Sequence, residues 1–329
     1  MKLQILVPQY KETDEIVKPL LDSIEVQQNV DLANDVGVII VNDGTDVRLS
    51  EELFKRYSFP IEYHLAEHRG VSATRNACLD YATADYVMFC DADDMFFNAC
   101  GLYIVFREME GNGFDSFVSA FVEESREPVT KTPIYINHDM DSTFVHGKIH
   151  RRKYLLEKGI RWNPSLTIHE DSYFNCLCQR LAGELKYSQT PFYLWKWRDA
   201  SVCRHDPKYI LKTYNNMLDS NDALVYQFLL RDRKQDAQFY AVSMIYDAYF
   251  TMNKDEWLNQ ENVEYRRATE LRFKDYWVKY KYLHDSIPMD MKAQIIMGIK
   301  TRMYAEGMVL ETLTFEQWIR QVEEMEETK

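Results

Sequence analysis

The feature of this sequence that most limits its fold is a regular alternation of two residue patterns over the first hundred residues. Short apolar or β-branched runs, typical of buried strands, lie at residues 3–7, 36–41, 61–65 and 85–90. Segments with helical spacing of apolar residues separate these runs, near residues 14–28, 50–57 and 71–83. This order predicts an α/β fold in which helices cover both faces of a mostly parallel sheet.

Two prolines set expected boundaries within this pattern. Pro8 interrupts the first apolar run, so we expect the first strand to end before it. Pro19 lies inside the first helical segment, and proline is tolerated best at the beginning of a helix. The sequence therefore predicts that this helix begins near Pro19 rather than at Asp14.

A polar segment follows each predicted strand. These segments are P-Q-Y-K-E (8–12), N-D-G-T-D (42–46), E-H-R-G (67–70) and D-A-D-D (91–94). Ligands of parallel sheets bind beyond the carboxyl ends of the strands, so the four segments predict one binding site. Asp91 and Asp93 lean the same way in an extended chain and suit a hard divalent cation such as Mg²⁺ or Mn²⁺. A polar turn in which an aspartate caps the next helix is the alternative explanation.

In the remainder of the chain the sequence pattern changes near residue 205, from mixed strand and helix patterns to helical patterns only. Strand-like patterns occur at 114–122 and 144–149, and residues 170–183 predict a helix with Glu170 and Asp171 in its first turn. Five further segments show helical patterns: 207–230, 233–252, 262–281, 289–306 and 314–327. We therefore expect an α/β domain over residues 1–205 and an all-helical domain over residues 206–329.

Composition restricts the class of protein. The 329 residues carry 39 basic and 52 acidic side chains, a net charge of −13, which disfavours nucleic acid as a partner but still permits a local basic patch. No apolar window is as long as a membrane span, and the first apolar run is too short for a signal peptide. The six cysteines form no C-x-x-C pair. Reduced cysteines and a cytoplasmic location are therefore expected.

Taken together, the motifs resemble the family 2 glycosyltransferases of the GT-A fold. The matching segments are I-L-V-P-Q-Y-K-E, V-I-I-V-N-D-G-T-D, H-R-G-V-S-A-T-R-N-A-C-L-D-Y-A and D-Y-V-M-F-C-D-A-D-D. Later matches are H-G-K-I-H-R-R-K-Y-L-L-E-K-G-I-R-W (146–162) and I-H-E-D-S-Y-F-N (168–175). The resemblance covers roughly residues 1–205 and implies that they form a catalytic domain that binds a nucleotide sugar. The helical domain over residues 206–329 would then serve acceptor binding or oligomerisation. The resemblance implies transfer of a sugar, with inversion, from a nucleotide-diphosphate sugar, and we expect the nucleotide to be UDP.

The resemblance also assigns residues to the donor. It implies that Pro8, Gln9 and Tyr10 wall the nucleoside, that Asp43 bonds the base edge, and that Arg75 or Arg69 contacts the diphosphate. The full nucleotide-binding set comprises Pro8, Gln9, Tyr10, Glu12, Asp43, Arg69, Arg75 and Asp91. Residues of these types also occur without a ligand: Asp43 suits an Asx turn, and the two arginines suit an exposed surface.

The metal and the base come from the same resemblance. It implies that Asp93 binds Mn²⁺ or Mg²⁺ directly, that Asp91 contacts ribose or a metal-bound water, and that His205 is a third ligand. Asp171 would be the general base that an inverting displacement requires, and Glu170 would orient Asp171 or the acceptor. The alternatives are a surface histidine at position 205 and two acids that complement a helix dipole.

Two other functions fit the residues less well. One is a non-catalytic protein that binds nucleotide sugars or glycans on the same fold. The other is a nucleotidyltransferase, which usually has a Gly-rich basic loop where this chain has P-Q-Y-K-E-T-D-E. The acceptor stays open among a polysaccharide, a teichoic-type polymer, a lipid-linked sugar, a protein and a modified nucleic-acid base. A homo-oligomer formed through the C-terminal helices is a further option.

Overall fold

The computed structural model describes residues 1–139, 141–199, 208–305 and 313–326. The chain divides into two units, Met1–Ser201 and Val202–Lys329. The division lies four residues before the boundary predicted from the sequence, while the roles expected for the two domains stay predictions. As predicted, the first unit contains a sheet with helices, and the described elements of the second unit are all helices.

The elements of the first unit follow the predicted alternation up to β4. The strands are β1 Leu3–Gln9, β2 Val36–Asp43, β3 Ile61–Ala66, β4 Tyr86–Phe89, β5 Met95–Phe96, β6 Ser116–Arg126, β7 Pro133–His138, β8 Lys148–Arg151 and β9 Leu185–Trp195. The helices are α1 Asp14–Glu25, α2 Leu32–Asp35, α3 Glu51–Phe54, α4 Val71–Tyr81, α5 Gly101–Met109, α6 Arg152–Glu157 and α7 Glu170–Leu181.

All the strands described belong to one mixed sheet of order β3-β2-β1-β4-β8-β6-β9-β5, with β7 paired to β6. The pairs β3-β2, β2-β1 and β1-β4 are parallel, as the alternation predicted. Strand β8 runs antiparallel to both of its neighbours, β4 and β6. The carboxyl ends of β1, β2 and β4 therefore lie at one edge of the sheet, where the polar segments begin.

Strand β1 does not end before Pro8 as predicted; it continues to Gln9 in the middle of the sheet. Its pairing with β4 stops at Leu6, whereas its pairing with β2 continues through Pro8 and Gln9. Proline lacks only the backbone N–H, and the neighbour on the β4 side has already ended at this position. Strand β1 therefore continues through Pro8 into the polar segment, and its pairing with β2 is not interrupted.

Helix α1 begins at Asp14, so the prediction of a start near Pro19 is wrong. The carbonyl of Thr13 accepts hydrogen bonds from the amides of Ile16 and Val17, which form the first turn before the proline. Val17 is buried together with residues beyond Pro19, including Leu20 and Ile24. Burial of one continuous apolar face favours the complete helix and outweighs the hydrogen bond that Pro19 removes.

The two faces of the sheet pack against different helices. Leu3, Ile5 and Val7 of β1 share a buried cluster with residues of α1 and α5. On the other face, Phe89 of β4 packs edge-on against Trp162 and Phe174, whose rings stack at 4.1 Å. Phe174 belongs to α7, so this aromatic contact fixes the helix that begins with Glu170 against the strand that leads to the D-A-D-D segment.

The second unit is a group of helices with an aromatic interior. Its helices are α8 Tyr209–Lys212, α9 Tyr214–Leu230, α10 Lys234–Met252, α11 Asp255–Leu258, α12 Val263–Ser286, α13 Met289–Ala305 and α14 Phe315–Glu324. Rings from α10, α12 and α14 meet in its interior, including Tyr249, Phe273, Phe315 and Trp318. Within the described parts of the chain, no helix has the length and apolarity needed to cross a bilayer.

A buried amide gives a direct test of the packing between β1 and the end of α4. The side-chain oxygen of Gln4 accepts hydrogen bonds from the amides of Thr83 at 2.7 Å and Ala84 at 2.8 Å. Gln4→Leu leaves both donors without this acceptor, so we expect the free energy of unfolding to fall by about 2 kcal/mol in urea titrations. The control Gln28→Leu changes an exposed glutamine. Equal stability of the two variants would contradict this account of Gln4.

Candidate functional site

A cleft of about 280 Å³ opens where β1, β2 and β4 end. The four polar segments predicted to converge at this edge of the sheet all line the cleft, together with the start of α4. The lining residues are Pro8, Gln9, Tyr10, Glu12, Asp43, His68, Gly70, Val71, Thr74, Asp91, Ala92 and Asp93. Six of the eight residues predicted to bind the nucleotide are in this set; Arg69 and Arg75 are not.

One wall of the cleft is aromatic. The half-exposed ring of Tyr10 stacks on His68 at a centroid distance of 4.9 Å. Gln9 also lines the cleft and is fully buried; its side-chain amide donates to the carbonyl of Glu12 and its oxygen accepts from Asn42. A rigid polar lining and an exposed ring pair can hold a planar heterocycle by stacking. The sequence analysis did not assign His68 to the nucleotide.

Asp43 fixes the segment that leads into α4. Its carboxylate accepts hydrogen bonds from the amides of Arg69 at 2.9 Å and Gly70 at 3.1 Å, and it lies 2.9 Å from the His68 ring. Gly44 permits this approach because a Cβ at that position would lie 2.3 Å from the amide nitrogen of His68. Asp43 therefore has a structural role at the cleft, and its predicted contact with a base edge stays a prediction.

A buried arginine joins the two predicted halves of the site. One guanidinium nitrogen of Arg75 lies 2.9 Å from Asp91, and the other lies 3.0 Å from Glu170 and 2.8 Å from Asp171. The side chain is only 4% exposed, and its guanidinium lies 4.4 Å from the Trp162 ring centroid. Arg75 thus bridges carboxylates of the β4 end and the α7 start, and its predicted contact with a diphosphate is untested.

The cluster controls the protonation of the predicted base. Burial raises the pKa of Asp171 to about 7; Arg75 opposes this rise, while Glu170 and Asp91 add to it. Burial alone would lower the pKa of Arg75, but the three surrounding carboxylates raise it above its ordinary value. Arg75 is therefore charged at every relevant pH, whereas Asp171 titrates near neutrality and is suited to accept a proton there.

Further contacts hold Asp171 in place. Helix α4 presents Asn76, which exchanges two hydrogen bonds with the backbone of Trp162, at 2.9 and 3.0 Å. These bonds fix the segment before α7. From the other side, the amide of Val145 donates to the second oxygen of Asp171 at 3.2 Å. The carboxylate is thus oriented by one cation and one amide and keeps 21% of its side-chain surface exposed.

The members of the D-A-D-D segment differ in their surroundings. Asp91 and Asp93 are partly exposed in the cleft, at 32% and 24% of their side-chain surface. Asp94 is 1% exposed and accepts hydrogen bonds from the Tyr193 hydroxyl at 2.6 Å and the Lys196 amide at 2.9 Å. Strand β5 follows Asp94, rather than the helix of the alternative explanation, and the Asp94 carboxylate binds Tyr193 of β9. Burial, followed by Asp93 and Asp91, raises the pKa of Asp94 well above its ordinary value.

The oxygen-rich set of side chains suits a hard divalent cation. Asp91 and Asp93 present accessible carboxylates to the cleft, and their assignment as metal ligands stays a prediction. Ligand atoms of Asp91, Asp94 and His146 also lie within 4.8 Å of one another, close enough to share one ion. Asp94 is the weakest member of this second set, since its two oxygens already bind Tyr193 and Lys196. The third predicted ligand, His205, lies outside the described residues.

Two arginines differ from the sequence-based interpretation. Arg69 is exposed and lines a neighbouring hollow with Ala73 and Ala77. Arg198, which the sequence analysis did not single out, donates to Asp93 at 2.6 Å and lies 3.5 Å from Glu12. Only its position after the alternating aromatics of residues 192–197 hints that it returns to the site.

Comparison with known proteins agrees with this geometry. The family model described as glycosyl transferase family 2 matches residues 4–174, from β1 into α7, and therefore includes both Glu170 and Asp171. Glycosyltransferase GlyA of Streptococcus pneumoniae serotype 4 (strain ATCC BAA-334 / TIGR4) is 26% identical over 229 residues, which are 62% of this chain and 32% of GlyA.

A second curated relative and a set of solved structures extend the comparison. An uncharacterized glycosyltransferase of Rickettsia bellii (strain RML369-C) is 30% identical over 114 residues, or 34% of this chain and 16% of that protein. The chain thus matches about a third or less of the length of these curated relatives. S. aureus TarS 1–349 in complex with UDP-GlcNAc superposes with a TM-score of 0.63 at 16% identity, covering 93% of this chain and 92% of TarS 1–349.

The likeness to TarS establishes the fold, because an identity of 16% carries no more than that. The α/β sheet with its helices and the helical C-terminal region are those of a GT-A protein, as the sequence predicted. The family match covers 171 of the 329 residues (4 to 174). The chain belongs to glycosyl transferase family 2.

Proposed function

We propose that the chain transfers a sugar from a nucleotide-diphosphate sugar to an acceptor hydroxyl, with inversion, assistance from a divalent cation and Asp171 as the general base. The observation that carries this proposal is the Arg75 cluster. It joins a cleft-lining carboxylate, Asp91, to a carboxylate that titrates near neutrality, Asp171. Donor binding and proton removal, the two requirements of the reaction, are thereby connected by one side chain.

UDP is the nucleotide that we propose for the donor. The printed description of the TarS 1–349 complex names UDP-GlcNAc as its ligand, and TarS shares the fold of this chain. In this chain the Tyr10 and His68 rings offer a stacking surface for a base, and Asp43, at the end of β2, contacts the His68 ring and lines the same cleft. The amides that Asp43 binds restrict it, so we propose that the base edge meets the accessible side of this carboxylate.

The proposed displacement follows from the position of Asp171. The acceptor hydroxyl gives its proton to a carboxylate oxygen of Asp171. At the same time, the oxygen of that hydroxyl forms the new bond to the anomeric carbon. The bond from that carbon to the diphosphate oxygen breaks on the opposite face, which inverts the configuration. Glu170 shares Arg75 with Asp171 and so helps to orient it. Asp171 then returns the proton to water.

Asp93 and Asp91 are the residues that we propose for the cation, with His205 as a further candidate. A bound Mg²⁺ or Mn²⁺ would offset the charge of the departing diphosphate. Asp91 and Asp93 line the cleft and would hold such a cation, whereas Asp94 is buried. The acceptor, the use of the helical domain, the oligomeric state and a cytoplasmic location stay predictions. Family membership does not favour the nucleotidyltransferase alternative.

The first prediction concerns the base. Asp171→Asn removes the proton acceptor but keeps the shape of the side chain, so we expect transfer to fall by about 10²- to 10⁴-fold. Donor binding, measured by calorimetry, should change little because Asp171 does not line the donor cleft. Asp80→Asn is the control, since Asp80 is an exposed aspartate outside the cleft. Undiminished transfer by Asp171→Asn would remove the assignment of the base.

The second prediction concerns the donor and the cation, and it tests the proposed function itself. A nucleoside diphosphate with Mn²⁺ should raise the melting temperature, because a ligand at about 100 times its Kd stabilises the native state by about 2.7 kcal/mol. We expect the shift to require Mn²⁺ and to disappear in Asp93→Ala.

The matched control is Asp46→Ala, an exposed aspartate at the same edge of the sheet that does not line the cleft. Its shift should equal that of the wild type. If no common sugar nucleotide changes the melting temperature of the wild type, with or without Mn²⁺, the proposed function is wrong. A shift without transfer to any acceptor would favour the non-catalytic binding protein.

A further inference from the structure

Arg198 forms the cationic side of a three-residue bridge across the donor cleft. Its guanidinium nitrogen lies 2.6 Å from a carboxylate oxygen of Asp93 and 3.5 Å from one of Glu12. Both acids line the cleft, Glu12 from the end of β1 and Asp93 from the end of β4. Arg198 therefore already binds the carboxylate that the proposed function assigns to a divalent cation.

The backbone before Arg198 is firmly held, so the guanidinium is delivered to this place by the fold. The amide of Lys196 donates to Asp94 at 2.9 Å, and the amide of Trp197 donates to Glu124 at 3.3 Å. Glu124 also pairs with Arg126, whose guanidinium lies over the Trp197 ring at 5.4 Å. The β6 strand and the end of β9 thus hold the backbone that leads into Arg198.

The charge of the cleft gives Arg198 a reason to exchange partners. Among the described residues that line the cleft, four are acids, Glu12, Asp43, Asp91 and Asp93, and none is lysine or arginine. A nucleoside diphosphate brings further negative charge and needs cations close by. Arg75 is buried and pairs with three carboxylates, whereas 35% of the Arg198 side chain is exposed.

We infer that the Arg198 guanidinium and a divalent cation compete for Asp93, and that Arg198 passes to the donor diphosphate when the cation takes the carboxylate. The inference rests on the proposed function and adds a residue to it. The exchange is ordered: the divalent cation replaces Arg198 on Asp93, and both cations then contact the anionic donor. Asp93 is never left without a counter-charge during the exchange, which avoids the cost of an unpaired, partly buried acid.

If Arg198 competes with the cation and also binds the diphosphate, one substitution should strengthen cation binding and weaken diphosphate binding. In Arg198→Gln, Mn²⁺ alone should bind about three- to fivefold more tightly, because a competing partly exposed ion pair is gone. The nucleoside diphosphate UDP, in saturating Mn²⁺, should bind about tenfold more weakly, because a charge-assisted contact to the diphosphate is lost. Both affinities are measured by isothermal titration calorimetry, with no need for an acceptor or for turnover.

Two further variants make the result interpretable. Arg161→Gln breaks an arginine–aspartate pair of the same length, 2.6 Å to Asp80, outside the cleft, and should change neither affinity. Arg198→Lys loses the planar guanidinium but keeps the positive charge. Because of that charge, it should recover most, but not all, of the UDP affinity. The melting temperature without ligand shows that each variant is folded before titration.

The outcomes separate this inference from the proposed function. If the wild type binds UDP with Mn²⁺ and Arg198→Gln shifts both affinities in the same direction, Arg198 has a structural role and the inference is overturned. Unchanged affinities in Arg198→Gln overturn it as well. If the wild type itself binds neither Mn²⁺ nor any nucleoside diphosphate, the proposed function fails, and the inference fails with it.

Discussion

The ion cluster around Arg75 is the interaction on which the site depends. One buried cation faces Asp91, Glu170 and Asp171, so the cluster contains more negative than positive charge. Excess charge away from water is costly unless a proton or a cation relieves it. Burial, together with Glu170 and Asp91 and against the opposing effect of Arg75, raises the pKa of Asp171 to about 7. Loss of Arg75 would leave three acids facing one another and would disturb both the strand end and the helix start.

The same arrangement explains how the fold connects the donor with the base. Asp91 follows β4 in the parallel part of the sheet, while Glu170 and Asp171 begin α7, about 80 residues later (171 − 91). Asn76 and the Phe89–Trp162–Phe174 contacts fix α7 against β4 and α4. The cluster therefore does not have to assemble the site from mobile parts. It adds charge coupling to elements that apolar packing already holds together.

The sequence predicted the parts of this structure that follow from local pattern. The four strands up to β4 were identifiable from short apolar runs, and the convergence of their polar ends follows from parallel pairing alone. The resemblance supplied Glu170 and Asp171, which lie in the part of the chain that the family model matches. Pro19 misled the placement of α1, because the burial of one apolar face outweighed a local preference.

Other parts could not be read from the sequence. The β5 strand has two residues, too few for any periodicity, and in β9 Pro191 separates a mostly polar stretch from the apolar run of residues 192–195. The pairs of Arg75 with Glu170 and of Arg198 with Asp93 join residues 95 and 105 positions apart. Pairings of this kind depend on how the elements pack, and a lone arginine in a sequence carries no sign of its partner.

The titration of Asp171 tests the central claim most directly. In protein labelled with ¹³C at the aspartate carboxyl carbons, the signal that is lost in Asp171→Asn should titrate with a midpoint near pH 7. Asp171 is then protonated below that pH and able to accept a proton above it, so transfer should increase as the pH rises through the same midpoint. A midpoint near the ordinary aspartate value of about 4 would contradict the account, because the surroundings of Asp171 would then not raise its pKa to the range needed for a general base near neutral pH.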